Sequence, residues 1–301
     1  MLDEHTPAQE RHGAAKDPSS PPPGAAADWT VPQDWDRFTR EEHDVWDLLF
    51  ARQQEVLAGR AVEGFGRGLD LLRLSRPGIP QLDELNERLF GRTGWTVVAV
   101  PGLVPDDVFF EHLRHRRFPA GNFIRSARQL DYLEEPDVFH DVFGHVPLLA
   151  DAEMADFMQL LGERGLEALE AGALHRLARL YWYTVEFGLA RQQGQLRIFG
   201  AGILSSHGES RYSLESADPE RVPFDLERVL RSPYRSDAFQ ARYFVVADFR
   251  EVIDRVSNTQ LAPLYEKLDE EEDDRPAGLT PNVRELAPAL DASQLDLLRP
   301  D

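Results

Sequence analysis

Cysteine is absent from this 301-residue chain. Thiolate metal sites, iron–sulfur clusters and disulfides are thereby excluded. Lysine is almost absent too: Lys16 and Lys267 stand alone, and arginine supplies the other positive charges. Positive charge is scarce overall, 33 Lys and Arg against 53 Asp and Glu, a formal net charge of −20. Nucleic acid and anionic membrane both require a cationic surface, so neither is expected as a partner. The simplest meaning of the acidity is solubility. No uninterrupted apolar run is long enough to cross a bilayer, and the N-terminus lacks the basic and apolar regions of a secretory signal. A cytoplasmic location is therefore expected.

With 42 % hydrophobic and 29 % charged residues, the chain can bury one substantial core, and a single domain with tails is expected. Residues 1–30 carry Pro7, Pro18, Pro21, Pro22 and Pro23 among small and polar residues, a composition that predicts a disordered N-terminal tail. After Lys267 the run Leu268-Asp269-Glu270-Glu271-Glu272-Asp273-Asp274 repels itself, so 269–301 is expected to be an acidic, largely flexible tail, with a short helix at 285–298. The domain proper is then 31–268.

Within it, Thr39-Arg40-Glu41-Glu42 resembles a capping box. Val45, Trp46, Leu48, Leu49 and Val56 then recur on one broad face, predicting a helix over 40–58. Similar periodicity marks 60–73, 81–90, 106–115, 137–143, 152–168, 174–191 and 225–231. Strands are expected at 95–100, 196–199 and 243–246, too few and too scattered for a large sheet. The predicted class is mainly α, an α+β chain with a few short strands.

The most informative run is Glu135-Pro136-Asp137-Val138-Phe139-His140-Asp141-Val142-Phe143-Gly144-His145-Val146-Pro147. A second charge, Glu186, interrupts the apolar stretch Leu180-Tyr181-Trp182-Tyr183-Thr184-Val185-Glu186-Phe187-Gly188-Leu189. Two imidazoles and one carboxylate among residues that would normally be buried form the donor set of a mononuclear non-haem Fe(II) site, with coordination positions left open. Zinc proteases of the His-Glu-x-x-His type space their histidines four apart. Five residues of regular α-helix instead turn the second side chain about 140° from the first. The expected remedy is a helix that carries His140 and ends near Gly144, with Val146 forced out of the helical region by Pro147. A lone buried histidine is commonly a hydrogen-bonded core residue. A buried glutamate is harder to dismiss, because an unpaired interior charge costs several kcal/mol.

These segments carry a resemblance. Together with Ile79-Pro80-Gln81-Leu82-Asp83, Trp95-Thr96-Val97-Val98-Ala99-Val100-Pro101-Gly102-Leu103, Phe118-Pro119-Ala120-Gly121-Asn122-Phe123-Ile124-Arg125 and Gly200-Ala201-Gly202-Ile203-Leu204-Ser205-Ser206, they resemble the signature segments of the pterin-dependent aromatic amino acid hydroxylases, most closely the short bacterial branch acting on phenylalanine. The likeness runs from about Val31 to about Arg250 and implies the catalytic-domain fold of that family. It implies Fe(II) on His140, His145 and Glu186, a tetrahydropterin as electron donor, O2 as co-substrate, and Tyr181 near the metal. By the same resemblance Gly102, Leu103 and Val104 lie along the pterin's polar edge and Phe109 stacks on it. Asp141 stands where many relatives have glutamate near the cofactor; its alternative is an exposed helical acid. Arg125 grips the substrate carboxylate, Trp182 walls its ring, Gly202 lets the backbone approach, and Ser205 bonds His140 or the carboxylate. Asp137 is either a partner that fixes a histidine's tautomer or an N-cap.

Two departures bear on substrate choice. Where animal relatives place a substrate-binding threonine, this chain has Leu133 followed by Glu134. At the position that is apolar in phenylalanine hydroxylases and acidic in tyrosine hydroxylases it has Ser236. Phenylalanine is the expected substrate, with tryptophan and tyrosine next. A zinc-dependent hydrolase and a non-catalytic helical binding protein are the alternatives from other classes. A monomer is expected because no sustained heptad repeat is present, nor is room seen for a regulatory domain in the first 30 residues. The family also implies a partner dehydratase that recycles the pterin.

Overall fold

The computed structural model describes residues 20–131, 135–270 and Asp274. The departure at Leu133 and Glu134 and the helix expected at 285–298 lie outside the described residues.

The chain is mainly helical, and the first helix shows why. Helix α1 (Arg40–Leu57) starts at a capping box: Glu42 N–H donates to Thr39 Oγ1 at 3.2 Å, and Thr39 N–H donates to the Glu42 carboxylate at 2.7 Å. Its buried face is Val45, Trp46, Leu49, Phe50, Gln53, Val56 and Leu57, the stripe that a 3.6-residue repeat lays against a core. There follow α2 (Glu63–Leu72), α3 (Leu82–Thr93), β1 (Thr96–Val100), α4 (Asp106–Arg114) and β2 (Arg117–Gly121). A first π-helical segment (Phe139–His145) leads into α5 (Val146–Leu149), α6 (Ala152–Glu170) and α7 (Leu174–Tyr181), and α7 continues as a second π-helical segment (Trp182–Glu186). The remaining elements are β3 (Leu189–Gln192), β4 (Gln195–Ile198), α8 (Ala201–Leu204), α9 (His207–Glu215), β5 (Glu220–Pro223), α10 (Leu226–Arg231), β6 (Arg242–Val246), α11 (Phe249–Asn258) and α12 (Leu261–Asp269).

Strands β1 and β2 pair in parallel, Thr96 opposite Arg117. The other sheet has the order β4-β3-β6-β5, antiparallel only between β3 and β4. Three strands were hidden from pattern reading. Pro119 disguises β2, which tolerates it because the strand pairs on one side with β1 among the described residues. Strand β5 is short and polar. Strand β3 begins within the helix expected over 174–191. That expectation is corrected: the regular helix stops at Tyr181, widens to a π-helix as far as Glu186, and the chain is extended from Leu189. Helices α8, α9, α11 and α12 also escaped the periodicity search.

The core runs through an aromatic cluster behind the first π-segment. Phe139 and Phe143 stack at 4.7 Å with an 11° interplanar angle. Trp46 meets Phe139, while Phe50 and Phe65 meet Phe143, all edge-on at 5.2–5.5 Å between centroids. Gln53, buried in α1, donates to the Leu204 carbonyl at 2.6 Å and ties α1 to α8.

Both ends of the domain are pinned by buried polar groups. Before Val31, His112 contacts the Asp28 carbonyl at 2.8 Å, and Arg117 pairs with the Asp28 carboxylate at 2.9 Å. At the other end, two carboxylates of the acidic run close on arginines. Arg176, 5 % exposed, holds Asp269, and Arg242, 2 % exposed, pairs with Asp274. No helix among the described residues is long and apolar enough to cross a membrane.

Candidate metal centre and active site

The five-residue spacing of the histidines is reconciled by winding rather than by termination. Phe139–His145 is π-helical, with i→i+5 hydrogen bonding, so residues five apart return to nearly the same side. The expected end of the helix near Gly144 is corrected: Gly144 lies inside the segment, and Val146 has helical dihedrals (φ −67°, ψ −34°) although it precedes Pro147. Gly144 serves close packing instead, since a Cβ there would sit 3.0 Å from the Ala201 carbonyl oxygen and 3.1 Å from the Ala201 Cβ. Phe139 and Phe143 face the aromatic cluster. His140 and His145 face the site.

The three candidate ligands converge. His145 Nε2 lies 3.2 Å from Glu186 Oε1, His140 Nε2 3.6 Å from Glu186 Oε2, and the two Nε2 atoms 3.3 Å apart. All three residues offer a ligand atom within 4.8 Å of one another. Glu186 closes the second π-segment, with 14 % of its side chain exposed. Burial alone would raise its pKa; the attraction of His145 and then His140 outweighs this and holds the carboxyl below its usual range, helped by the Gly202 backbone N–H. The backbone of Gly202 thus lies against Glu186.

The tautomer of His140 follows from its neighbour. Ser205 donates its only hydroxyl proton to the Ala201 carbonyl at 2.8 Å, so at 2.9 Å from His140 Nδ1 it must accept. The imidazole proton is then on Nδ1, and the Nε2 lone pair points toward His145 and Glu186. Burial lowers the His140 pKa to about 4, which keeps the ring neutral. Two imidazole nitrogens, that of His140 free of its proton, and a carboxylate oxygen gathered at these distances fit a divalent metal of the Fe(II) class. His145 is itself buried, packs on Phe118 at 4.8 Å, and has no hydrogen-bond partner at Nδ1 among the described residues.

Around this centre the other candidates divide. Arg125 is buried. Its Nε and Nη2 donate to the two oxygens of Asp137, both at 2.8 Å, a bidentate pair. Asp137 is fully buried. Burial would raise its pKa, but Arg125 pulls it below the usual carboxylate range. The expectation that Asp137 fixes a histidine tautomer is corrected: it accepts from the backbone N–H of His140 at 3.0 Å and of Arg125 at 2.9 Å, a capping role, and Ser205 does the tautomer's work. Asp141 is 8 % exposed, so its reading as an exposed acid fails. It accepts from Gly121 N–H at 2.7 Å, and burial pushes its pKa up to about 7.

Phe109, half-buried on α4, meets Tyr181 edge-on at 5.6 Å. Tyr181 lies near the Glu186 and Asp141 carboxylates, and burial raises its pKa well above the usual phenol value. Gly102, Leu103 and Val104 form the loop leaving β1. Leu103 is 69 % exposed, and its N–H donates to Glu135 at 3.1 Å. Trp182 stacks on Tyr234 at 4.1 Å and leans on Phe187 at 4.6 Å. Ser236 occupies an exposed turn between Tyr234 and Asp237. Glu135, Glu209, Tyr234 and Gln240 are polar or aromatic neighbours of these residues that pattern reading missed. Only Tyr234, an aromatic in a polar loop, gave any signal.

Comparison with known proteins agrees with this geometry. The family described as biopterin-dependent aromatic amino acid hydroxylase matches residues 31–264. This chain belongs to that family. Among its relatives, a phenylalanine-4-hydroxylase of Caulobacter vibrioides is 57 % identical over 250 residues, covering 83 % of this chain and 85 % of the relative. One from Ralstonia nicotianae is 54 % identical over 241 residues, covering 80 % and 77 %. The solved iron- and phenylalanine-bound phenylalanine hydroxylase of Chromobacterium violaceum superposes with a TM-score of 0.80 at 47 % identity, covering 87 % of this chain and 94 % of that one. The mainly helical hydroxylase fold is thus the fold of this chain.

Proposed function

We propose that this hydroxylase converts L-phenylalanine to L-tyrosine with O2, using Fe(II) held by His140, His145 and Glu186 and a tetrahydropterin as reductant. The observation that carries the reading is the convergence of those three side chains, with the His140 lone pair oriented by Ser205. The bacterial relatives named as phenylalanine hydroxylases, and the one solved with iron and phenylalanine, support the substrate.

When bound, Fe(II) and the tetrahydropterin together supply the electrons that reduce O2 for ring hydroxylation. The chain's own residues supply position and a dry environment. Phe109 offers a flat face for the pterin beside the Gly102–Val104 backbone, and Asp141, protonated up to about pH 7, can present a hydrogen-bond donor there. Arg125, steadied by Asp137, keeps Nη1 for the amino acid carboxylate, apart from a 3.4 Å contact to the Leu130 carbonyl. Trp182 and Gly202 border the ring, Ser236 sits at the edge of that border, and Tyr181 orders the space between the two pockets.

The same reading takes residues 31–268 as the catalytic domain between tails 1–30 and 269–301, in a cytoplasmic monomer. Each turnover leaves an oxidised pterin, so a recycling dehydratase is the implied partner, within phenylalanine catabolism.

An anaerobic Fe(II) titration, followed by O2 uptake with L-phenylalanine and a tetrahydropterin, tests the proposal. One metal per chain, with tyrosine formed in step with O2 consumption, is expected. Metal-activated hydrolysis without O2 uptake would make it a zinc-type hydrolase, and absence of metal binding a non-catalytic protein. Faster turnover of tyrosine or tryptophan than of phenylalanine would move the substrate within the family.

A further inference from the structure

Trp182 is held from behind by one buried amide. Its indole N–H donates to Gln240 Oε1 at 2.9 Å, and Gln240 is 3 % exposed. Through Nε2 the same side chain donates to the carbonyls of Arg235 and Ala238, at 2.9 and 3.2 Å. The amide's orientation is fixed by its partners, because an indole N–H can only donate and a carbonyl can only accept. Gln240 is anchored in turn. Its backbone N–H donates to Glu209 Oε1 at 3.1 Å, and the same oxygen accepts the Tyr243 hydroxyl at 2.7 Å.

The two carbonyls bracket Ser236 and Asp237, in the turn whose Tyr234 ring lies parallel to the Trp182 indole at a 13° interplanar angle. A single side chain therefore sets the indole and the turn relative to each other. Trp182 also begins the π-segment that ends in Glu186, so the indole and that carboxylate are placed relative to each other along one continuous element. An unmet indole N–H in this part-buried setting, or an unmet Ala238 carbonyl in a buried one, would carry a desolvation penalty, and the wall or the turn would shift to avoid it.

We propose that Gln240 is the positioning residue of the substrate-ring pocket, setting the separation of the Trp182 wall from the Ser236 turn and with it the preference among aromatic amino acids. The inference rests on the reading of Trp182 as the wall of that pocket. A purely structural Gln240 would lower stability when replaced and leave substrate selection alone.

The test compares Gln240→Met, which keeps the volume and removes both sets of hydrogen bonds, with Gln240→Glu, which keeps the acceptor for the indole. Trp182→Phe removes the indole donor from the other side. Each is assayed as the iron-loaded enzyme for KM and kcat with phenylalanine and with tyrosine, for the KM of the tetrahydropterin, and for tyrosine formed per pterin oxidised. Gln240→Met should raise the KM for phenylalanine about five- to tenfold and narrow the preference over tyrosine by a similar factor, the loss expected for one or two buried hydrogen bonds. The pterin KM should stay within about twofold, and Gln240→Glu should recover part of the loss. Adding Gln240→Met to Trp182→Phe should cost less than the two separate effects combined.

Unchanged phenylalanine KM and preference in Gln240→Met would overturn the proposal, as would an equal change in the pterin KM. Should Gln240→Met fail to fold, Trp182→Phe decides alone: an unaltered KM and preference would refute the hydrogen bond's role. Trp182→Ala separates the two levels of argument. If it too leaves phenylalanine binding intact, the pocket reading has failed; if it abolishes binding while Gln240→Met has no effect, only the positioning role has.

Discussion

Helix α1 and the two π-segments are built by opposite rules. In α1, a capping box satisfies the first turn, one face is buried, and charges such as the Arg40–Asp44 pair stand in solvent, with 89 % and 56 % of their side chains exposed. The first π-segment is capped from inside the protein, by the buried Asp137, and the second has no side-chain cap. Six of the seven residues in the first are buried, and its charged groups are inside the protein. A regular helix can be started by a local cap and needs tertiary packing on one face only; a π-helix holds its wider hydrogen-bonding pattern through tertiary contacts all round, and here those contacts bring the candidate metal ligands together. Local rules thus govern the scaffold, and long-range packing governs the site.

The largest test of that contrast is removal of a ligand. His140→Ala, His145→Ala and Glu186→Gln should each weaken Fe(II) binding by more than about a hundredfold and abolish tyrosine formation, exceeding the loss typical of an outer-shell partner. The apo-protein should melt somewhat lower in Glu186→Gln, because a carboxylate held below its usual range by His145 and His140 stabilises the fold when ionised. Isothermal titration and thermal melts measure both, and wild-type turnover in any variant would remove that residue from the ligand set.

Gly144→Ala comes next. The new methyl would press against the Ala201 backbone, so destabilisation of about 1–3 kcal/mol and loss of metal affinity are expected together in denaturant melts and titrations. A neutral result would show that the first π-segment is loosely packed.

The pH dependence should also sit near the site rather than on α1. Glu209 is 5 % exposed, and burial raises its pKa from 4.5 to about 7. Folding therefore favours its protonated form. This contribution is complete below about pH 4.5 and is lost as pH climbs through about 7. Glu209→Gln should flatten the fall in apo-protein stability across that window, as measured by urea unfolding at several pH values. An unchanged slope would place the titration elsewhere.

The smallest effect is expected at Gly66, exposed in α2, where an added Cβ meets nothing within 4 Å. Gly66→Ala should stabilise by about 0.5–1 kcal/mol through helix propensity and leave metal binding alone. The same substitution thus has opposite signs in the two kinds of helix, and equal signs would dissolve the distinction.

The sequence by itself determined which residues would meet. The donor set of two histidines and a glutamate is legible because charged and metal-ligating side chains in apolar surroundings demand a partner. The capping box of α1, its buried stripe, and strands β1, β4 and β6 are likewise local patterns, readable from spacing alone. What only the tertiary structure decided is how the ligands are brought round. Periodicity scans assume 3.6 or 2 residues per repeat, so a π-helix reads as a regular helix with a ligand on the wrong side, and β3 is absorbed into the helix before it. The Ser205 and Gln240 hydrogen bonds join residues 65 and 58 positions away. Such contacts leave no periodic trace, because the free energy that fixes them comes from burying both partners together, which no single stretch of sequence contains.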